Sequence, residues 1–149
     1  MRFVGIILLL GLCVFCPPIW GYENAVYIWH GNWHPEILES IARIKPLSSH
    51  FMVLAGELKR EDQQFSFFKV PVNWAYLKNA ETVTLDIRMR RTFAKPLQDK
   101  NNAPLIDYFK QSVINIIRDA KRVGINVQGI QIDYDCPTAN LPDYIWYVR

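Results

Sequence analysis

From residue 24 onward, short β-rich runs alternate with segments of helical period, and this order restricts the fold more than any other feature of the chain. Asn24–Trp29 (NAVYIW) predicts a first strand. His34-Pro35 then opens a helix, because Pro is tolerated at the first helical position and Ile37, Leu38, Ile41 and Ile44 recur at helical spacing up to Lys45-Pro46. Phe51–Gly56 (FMVLAG) predicts a second strand and Thr82–Met89 (TVTLDIRM), with its period of two, a third. Between them, residues 59–64 read as a solvated charged stretch and Phe65–Val72 as either an extra strand or a packed loop. Asn73 is placed to cap a short helix over Trp74–Asn79. After a loop at 95–102, Pro104 starts the longest helix and Gly124 ends it. Leu105, Phe109, Val113, Ile116, Ala120 and Val123 form one apolar stripe along it. Val127–Asp133 (VQGIQID) predicts the fourth strand, and Thr138–Arg149 begins a further helix with Leu141, Tyr144, Ile145 and Val148 on its apolar face.

Strands that alternate with helices pair in parallel through right-handed crossovers. Four βα units with no internal hairpin fit either an open doubly wound sheet or the first half of an eight-fold barrel. The segment after the first strand, His30-Gly31-Asn32-Trp33-His34, lacks the Gly-rich phosphate fingerprint, so no nucleotide cofactor is implied. The polar pattern favours the barrel. Gln131, Asp133 and Asp135 share one side of the fourth strand, and Thr84, Asp86 and Arg88 share one side of the third. A central strand of an open α/β sheet is apolar on both faces, whereas a barrel can turn a polar face into its lumen. Arg88 then lies near Asp133 on adjacent strands, as an internal ion pair or as part of a ligand site. The expected fold class is therefore α/β, a partial (β/α)8 TIM barrel of about four βα units.

Ahead of these units, Arg2 precedes an apolar run from Phe3 to Phe15 that Cys16-Pro17-Pro18 ends. That run is too short for a membrane span and fits a secretory signal over residues 1–21, which implies export to the periplasm or medium. Left uncleaved, the same segment would be a membrane anchor. Cleavage removes Cys13 and Cys16 and leaves Cys136 without an internal disulfide partner, so burial is its first expected fate. The chain has 149 residues, 50% of them hydrophobic, and a formal net charge of +3, which suits one packed domain and excludes a disordered chain. The small charge forms no basic stripe, so nucleic acid is not an expected partner.

Asp133 and Asp135 stand two residues apart where the fourth strand ends, and barrel enzymes keep their chemistry at such ends. The stretch Gly129–Pro137 (GIQIDYDCP) resembles the fourth-strand signature of the family 18 glycoside hydrolases, D-G-x-D-x-D-x-E. On that pattern Gly129 matches the Gly, Asp133 the third Asp, and Asp135 falls at the Glu that acts as general acid. Gln128 and Gln131 replace two Asp, and Tyr134 replaces a Trp. A longer resemblance, over most of residues 24–149, is to an exported bacterial family, the domain of unknown function numbered 3142. It is carried by Trp29 and Trp33, by Ala55-Gly56-Glu57-Leu58, by Asn73-Trp74, by Thr82–Arg88 and by Gln131–Pro137.

These resemblances imply a carbohydrate ligand and a glycosidase-type barrel. Asp135 is the expected general acid, poised by Asp133; Trp29, Trp33 and Tyr134 are expected to stack on sugar rings, and Glu57, Arg88 and Gln131 to bind hydroxyls. In the chitinase-like scheme the substrate's own acetamido group is the nucleophile. Two other readings follow from the residues. One is a non-catalytic binding or surface protein on the same scaffold, which the two Gln substitutions favour. The other is a metal-dependent hydrolase using His30 and His34, although that spacing suits a helix and Pro35 follows at once, so no metal set is assigned. An eight-fold barrel takes about 250 residues, so the chain is expected to be its N-terminal half, inactive alone and lacking the C-terminal half as a partner.

Overall fold

The computed structural model describes residues 24–61, 64–90 and 103–147; residues 1–21, read above as a secretory signal, and residues 95–102, read as a loop, lie outside them. The protein is a mixed α/β unit. Its strands are β1 (Ala25–Ile28), β2 (His50–Glu61), β3 (Gln64–Lys69), β4 (Thr82–Met89) and β5 (Val127–Tyr134). Its α-helices are α1 (Pro35–Ile44), α2 (Ala103–Arg122) and α3 (Leu141–Tyr147), with 3₁₀ turns at Trp74–Leu77 and Thr138–Asn140. The sheet runs β1-β2-β4-β5, with all three pairings parallel.

β3 corrects the expectation of an uninterrupted βα series. It pairs antiparallel with the outer part of β2, from Gly56 opposite Lys69 to Glu61 opposite Gln64. Lys59, Arg60 and Glu61, in the stretch that reads as solvated, are thus strand residues. Their cations have aromatic partners: Lys59 sits over the Phe68 ring and Arg60 over the Phe65 ring. Phe65 and Phe67, two apart, turn inward to the apolar side. Gly56 is required at this junction, since a Cβ there would lie 2.3 Å from the Phe67 ring. Asn73 also departs from expectation, because its side chain makes no cap hydrogen bond and the turn it precedes is 3₁₀.

The helix-covered face carries the main core. Phe51, Val53 and Ala55 of β2, Val83, Leu85 and Ile87 of β4, and Ile28 of β1 meet Ile41 of α1 and Val113, Ile116 and Ala120 of α2. Of the α2 stripe, Leu105, Val113, Ile116 and Ala120 are buried as the spacing predicts and Phe109 is half-buried, whereas Val123 is 40% exposed because the helix has already ended. Gly124 ends it with φ +84°; its N–H reaches the Lys121 carbonyl and that of Ile125 reaches the Ala120 carbonyl, a Schellman arrangement. On α3, Tyr144 packs inward, while Leu141 and Ile145 are exposed. Val148 lies outside the described residues.

The opposite face has no helix over it among the described residues, yet Leu54 and Asp86 on it are each 1% exposed. Curvature explains this. The Tyr27 hydroxyl of β1 donates to the Gln131 side-chain oxygen of β5 at 3.2 Å, although β2 and β4 lie between. On a flat sheet three inter-strand gaps span about 14 Å, too far for side chains standing off the sheet to meet. The sheet therefore curls, concave on its polar side. Bulges at Ala55 of β2 and at Gln128 of β5, where the register shifts, add local bend.

Candidate functional site

Strand alternation and the registers arrange the concave face in rows. One row holds Leu54, Asp86 and Gln131; the next, nearer the strand C-termini, holds Glu57, Arg88 and Asp133. Arg88 Nε donates to Asp133 Oδ2 at 3.3 Å and Nη1 to Glu57 Oε1 at 3.4 Å, so one guanidinium links three strands. Arg90 Nη2 and Lys59 Nζ also reach Glu57 Oε2, at 3.6 and 3.5 Å. The Arg88 guanidinium lies 5.4 Å from the Trp29 ring centre, and Trp29 stacks on Tyr27 with the rings 5° from parallel.

Two adjoining depressions open here. A cavity of about 330 Å³ is lined by Arg88, Met89, Arg90, Asp133 and Asp135. A second, of about 440 Å³, shares Arg90 and is bordered by His30, His34, Glu57 and Lys59. Both lie at the C-terminal ends of the parallel strands, where α/β folds bind ligands. Among the described residues, no three His, Cys, Asp or Glu side chains are arranged to hold a metal ion.

The structure brings Trp29, Glu57, Arg88, Gln131, Asp133 and Asp135 to this concave face or its rim. Trp33 and Tyr134 do not join them. Trp33 packs against the main core near α1, and its buried indole N–H has no hydrogen-bond partner among the described residues. Tyr134 alternates to the helix side of β5, beside Leu58, Met89 and Leu105, and its ring meets Tyr144. Strand period is the reason: Tyr134 lies between Asp133 and Asp135 and so points the other way. Cys136 is half-buried, beyond the end of β5.

Asp86 is the group that sequence reasoning put on this face without marking it as a site residue. The available signal was a carboxylate flanked by Leu85 and Ile87 in the middle of a strand. Both of its oxygens are buried and have no hydrogen-bond partner among the described residues. Burial pushes its carboxyl up to about 6, the nearby Asp133 charge adds to the rise, and Arg88 opposes it. Elsewhere, the hydrogen bond from Lys69 of β3 holds the Asp119 carboxyl of α2 below its usual range and ties the hairpin to the helix.

No protein-family model matches the chain, and no curated protein or solved structure is found to be similar to it. The concave face itself is therefore the basis for reading function.

Proposed function

We propose that this chain forms part of the wall of a glycosidase-type (β/α) barrel, and that its strand C-termini hold a carbohydrate ligand with Asp135 as general acid. The observation that carries the reading is the Glu57–Arg88–Asp133 chain on a concave parallel sheet, next to the exposed Tyr27–Trp29 pair. Stacked rings offer a flat apolar platform to a sugar, and the carboxylates and guanidinium offer hydrogen bonds to its hydroxyls. Asp135 is exposed on the cavity wall, two residues beyond the Arg88-held Asp133. In this role it gives its proton to the glycosidic oxygen as the bond to the anomeric carbon breaks, and water completes hydrolysis. Export through the N-terminal segment, to where polysaccharides are met, belongs to the same reading.

The test is binding and hydrolysis of amino-sugar and neutral oligosaccharides by the purified chain and by Asp135→Asn. The reading expects binding by the chain alone, retained in the variant, and hydrolysis only with the rest of the proposed barrel wall present, by the wild type and not by the variant. Absence of binding to every glycan would overturn it. A second reading, non-catalytic recognition, draws on Gln131: its side-chain amide is tied to Tyr27, where an acid would otherwise stand. Binding without hydrolysis when the rest of the barrel wall is present selects that reading.

A further inference from the structure

The two depressions at the strand ends differ in charge. The lining of the first is balanced, Arg88 and Arg90 with Asp133 and Asp135. The second, of about 440 Å³, is lined by Lys59 and Arg90 against Glu57, its one carboxylate among the described residues. Glu57 is already engaged on both oxygens: Oε1 accepts from Arg88 at 3.4 Å, and Oε2 has Lys59 at 3.5 Å and Arg90 at 3.6 Å. Arg88 is matched by Asp133, which leaves Lys59 and Arg90 to share a single carboxylate. Arg90 borders both depressions, but its ion pair among the described residues is with Glu57. Leu58 lies opposite Met89, so Lys59 and Arg90 follow as neighbours, one step beyond Glu57 and Arg88 towards the strand ends. Like charges on adjacent strands repel, and one carboxylate offsets only part of this. Both cations are open to a ligand, with the Lys59 side chain 28% and that of Arg90 58% exposed. Lys59 is also held in place, 5.3 Å above the ring of Phe68, which faces the same depression. The exposed His30 and His34 imidazoles, from the loop after β1, add N–H donors at its border.

We infer that the second depression is an anion subsite of the carbohydrate site, which seats the carboxylate or sulfate ester of an acidic sugar between Lys59 and Arg90, with the ring against Phe68. One negative charge on the ligand supplies the one that this lining lacks and accepts charge-assisted hydrogen bonds from both cations. A neutral sugar leaves their repulsion in place. Since Arg90 borders both depressions, a polymer lying in the first continues into the second. The inference rests on the carbohydrate reading above and narrows it from sugars in general to acidic glycans. Lys59 and Arg90 become specificity-determining residues, distinct from Asp135, whose assigned role is proton transfer.

The experiment is titration calorimetry of the whole purified chain at pH 7. The probes are a neutral galactose oligomer, a galacturonic acid oligomer of the same length and a sulfated galactose oligomer of that length. The expected result is at least about tenfold tighter binding of an acidic oligomer than of the neutral one, weakening as salt is raised. Tighter binding of the uronate identifies the seated group as a carboxylate, and tighter binding of the sulfated oligomer identifies a sulfate ester; either outcome supports the proposal. Arg90→Gln and Lys59→Gln, each checked for folding by circular dichroism, should each lower the acidic-to-neutral affinity ratio by at least about threefold. Lys121→Gln, in the last turn of α2 where the chain leads into the start of β5, should leave that ratio as in the wild type. Equal affinity for the neutral and both acidic oligomers overturns the inference and leaves the carbohydrate reading standing. So does a preference that survives in Arg90→Gln and Lys59→Gln, or one that Lys121→Gln lowers as much as they do. Binding of none of the sugars removes both.

Discussion

Arg88 and Asp133 meet across adjacent parallel strands at 3.3 Å, and the same guanidinium continues to Glu57 on the far side. A planar donor fork can serve two carboxylates at once, which a lysine ammonium cannot do with the same geometry. The pairing fixes the row of side chains nearest the strand ends and covers the buried row beneath it. It also leaves Asp86, one residue pair deeper on β4, with a nearby positive charge but no donor.

Asp86 gives the chain a distinctive pH response. Its folded-state value of about 6 lies above the ordinary 3.8, so the folded state binds its proton more tightly than the unfolded state does. This contribution to stability is complete below about pH 4 and is lost as pH rises through 6. Asp86→Asn is expected to raise stability at pH 8 by about 2–3 kcal/mol and to remove the decline between pH 4 and 7. Urea denaturation of both proteins across that range measures it; an unchanged slope would show that Asp86 titrates normally.

Arg88→Ala should destabilise the chain by about 1–3 kcal/mol, because Glu57 and Asp133 each lose a charged donor. Arg88→Lys should recover only part of this, since it reaches one carboxylate and not both. Comparing denaturation midpoints of the two variants distinguishes a linking role from simple charge balance.

Gly56→Ala puts a methyl group 2.3 Å from the Phe67 ring and 3.3 Å from Ile116. The expected cost is about 1–3 kcal/mol, as the ring must leave its place between hairpin and α2. Adding Phe67→Leu should make the Gly56→Ala step less costly. A double-mutant cycle showing strict additivity would contradict the contact.

Gly124→Ala forces a side chain into φ +84° at the end of α2, with open space around it. The cost should be about 1 kcal/mol and purely conformational. Gly124→Asn should cost less, because Asn tolerates the left-handed region. Thermal melts of the two variants give the comparison.

Much of the architecture could be read along the chain. The period of two in Thr82–Met89 gives β4 residue for residue, and the stripe from Leu105 to Ala120 gives the buried side of α2. Pro35 and Gly124 mark helix ends through backbone preferences that act locally. The meeting of Arg88 and Asp133 was also legible, since parallel neighbours with like-facing polar residues leave few alternatives. The hairpin was less so. Residues 59–64 carry charges that normally signal solvent, whereas Lys59 and Arg60 are held in strand beside the Phe68 and Phe65 rings of the antiparallel neighbour.

Outside the β2–β3 hairpin, the sequence alone determined which segments form strands and helices and which side chains share a face, because both follow from backbone periodicity over a few neighbours. Only the tertiary structure decided that Tyr27 reaches Gln131, that Asp86 is sealed without a donor, and that Trp33 packs against the core. Those outcomes depend on how far the sheet curls and on what packs against each face. Such distances are set between segments far apart along the chain, where local preference has no reach.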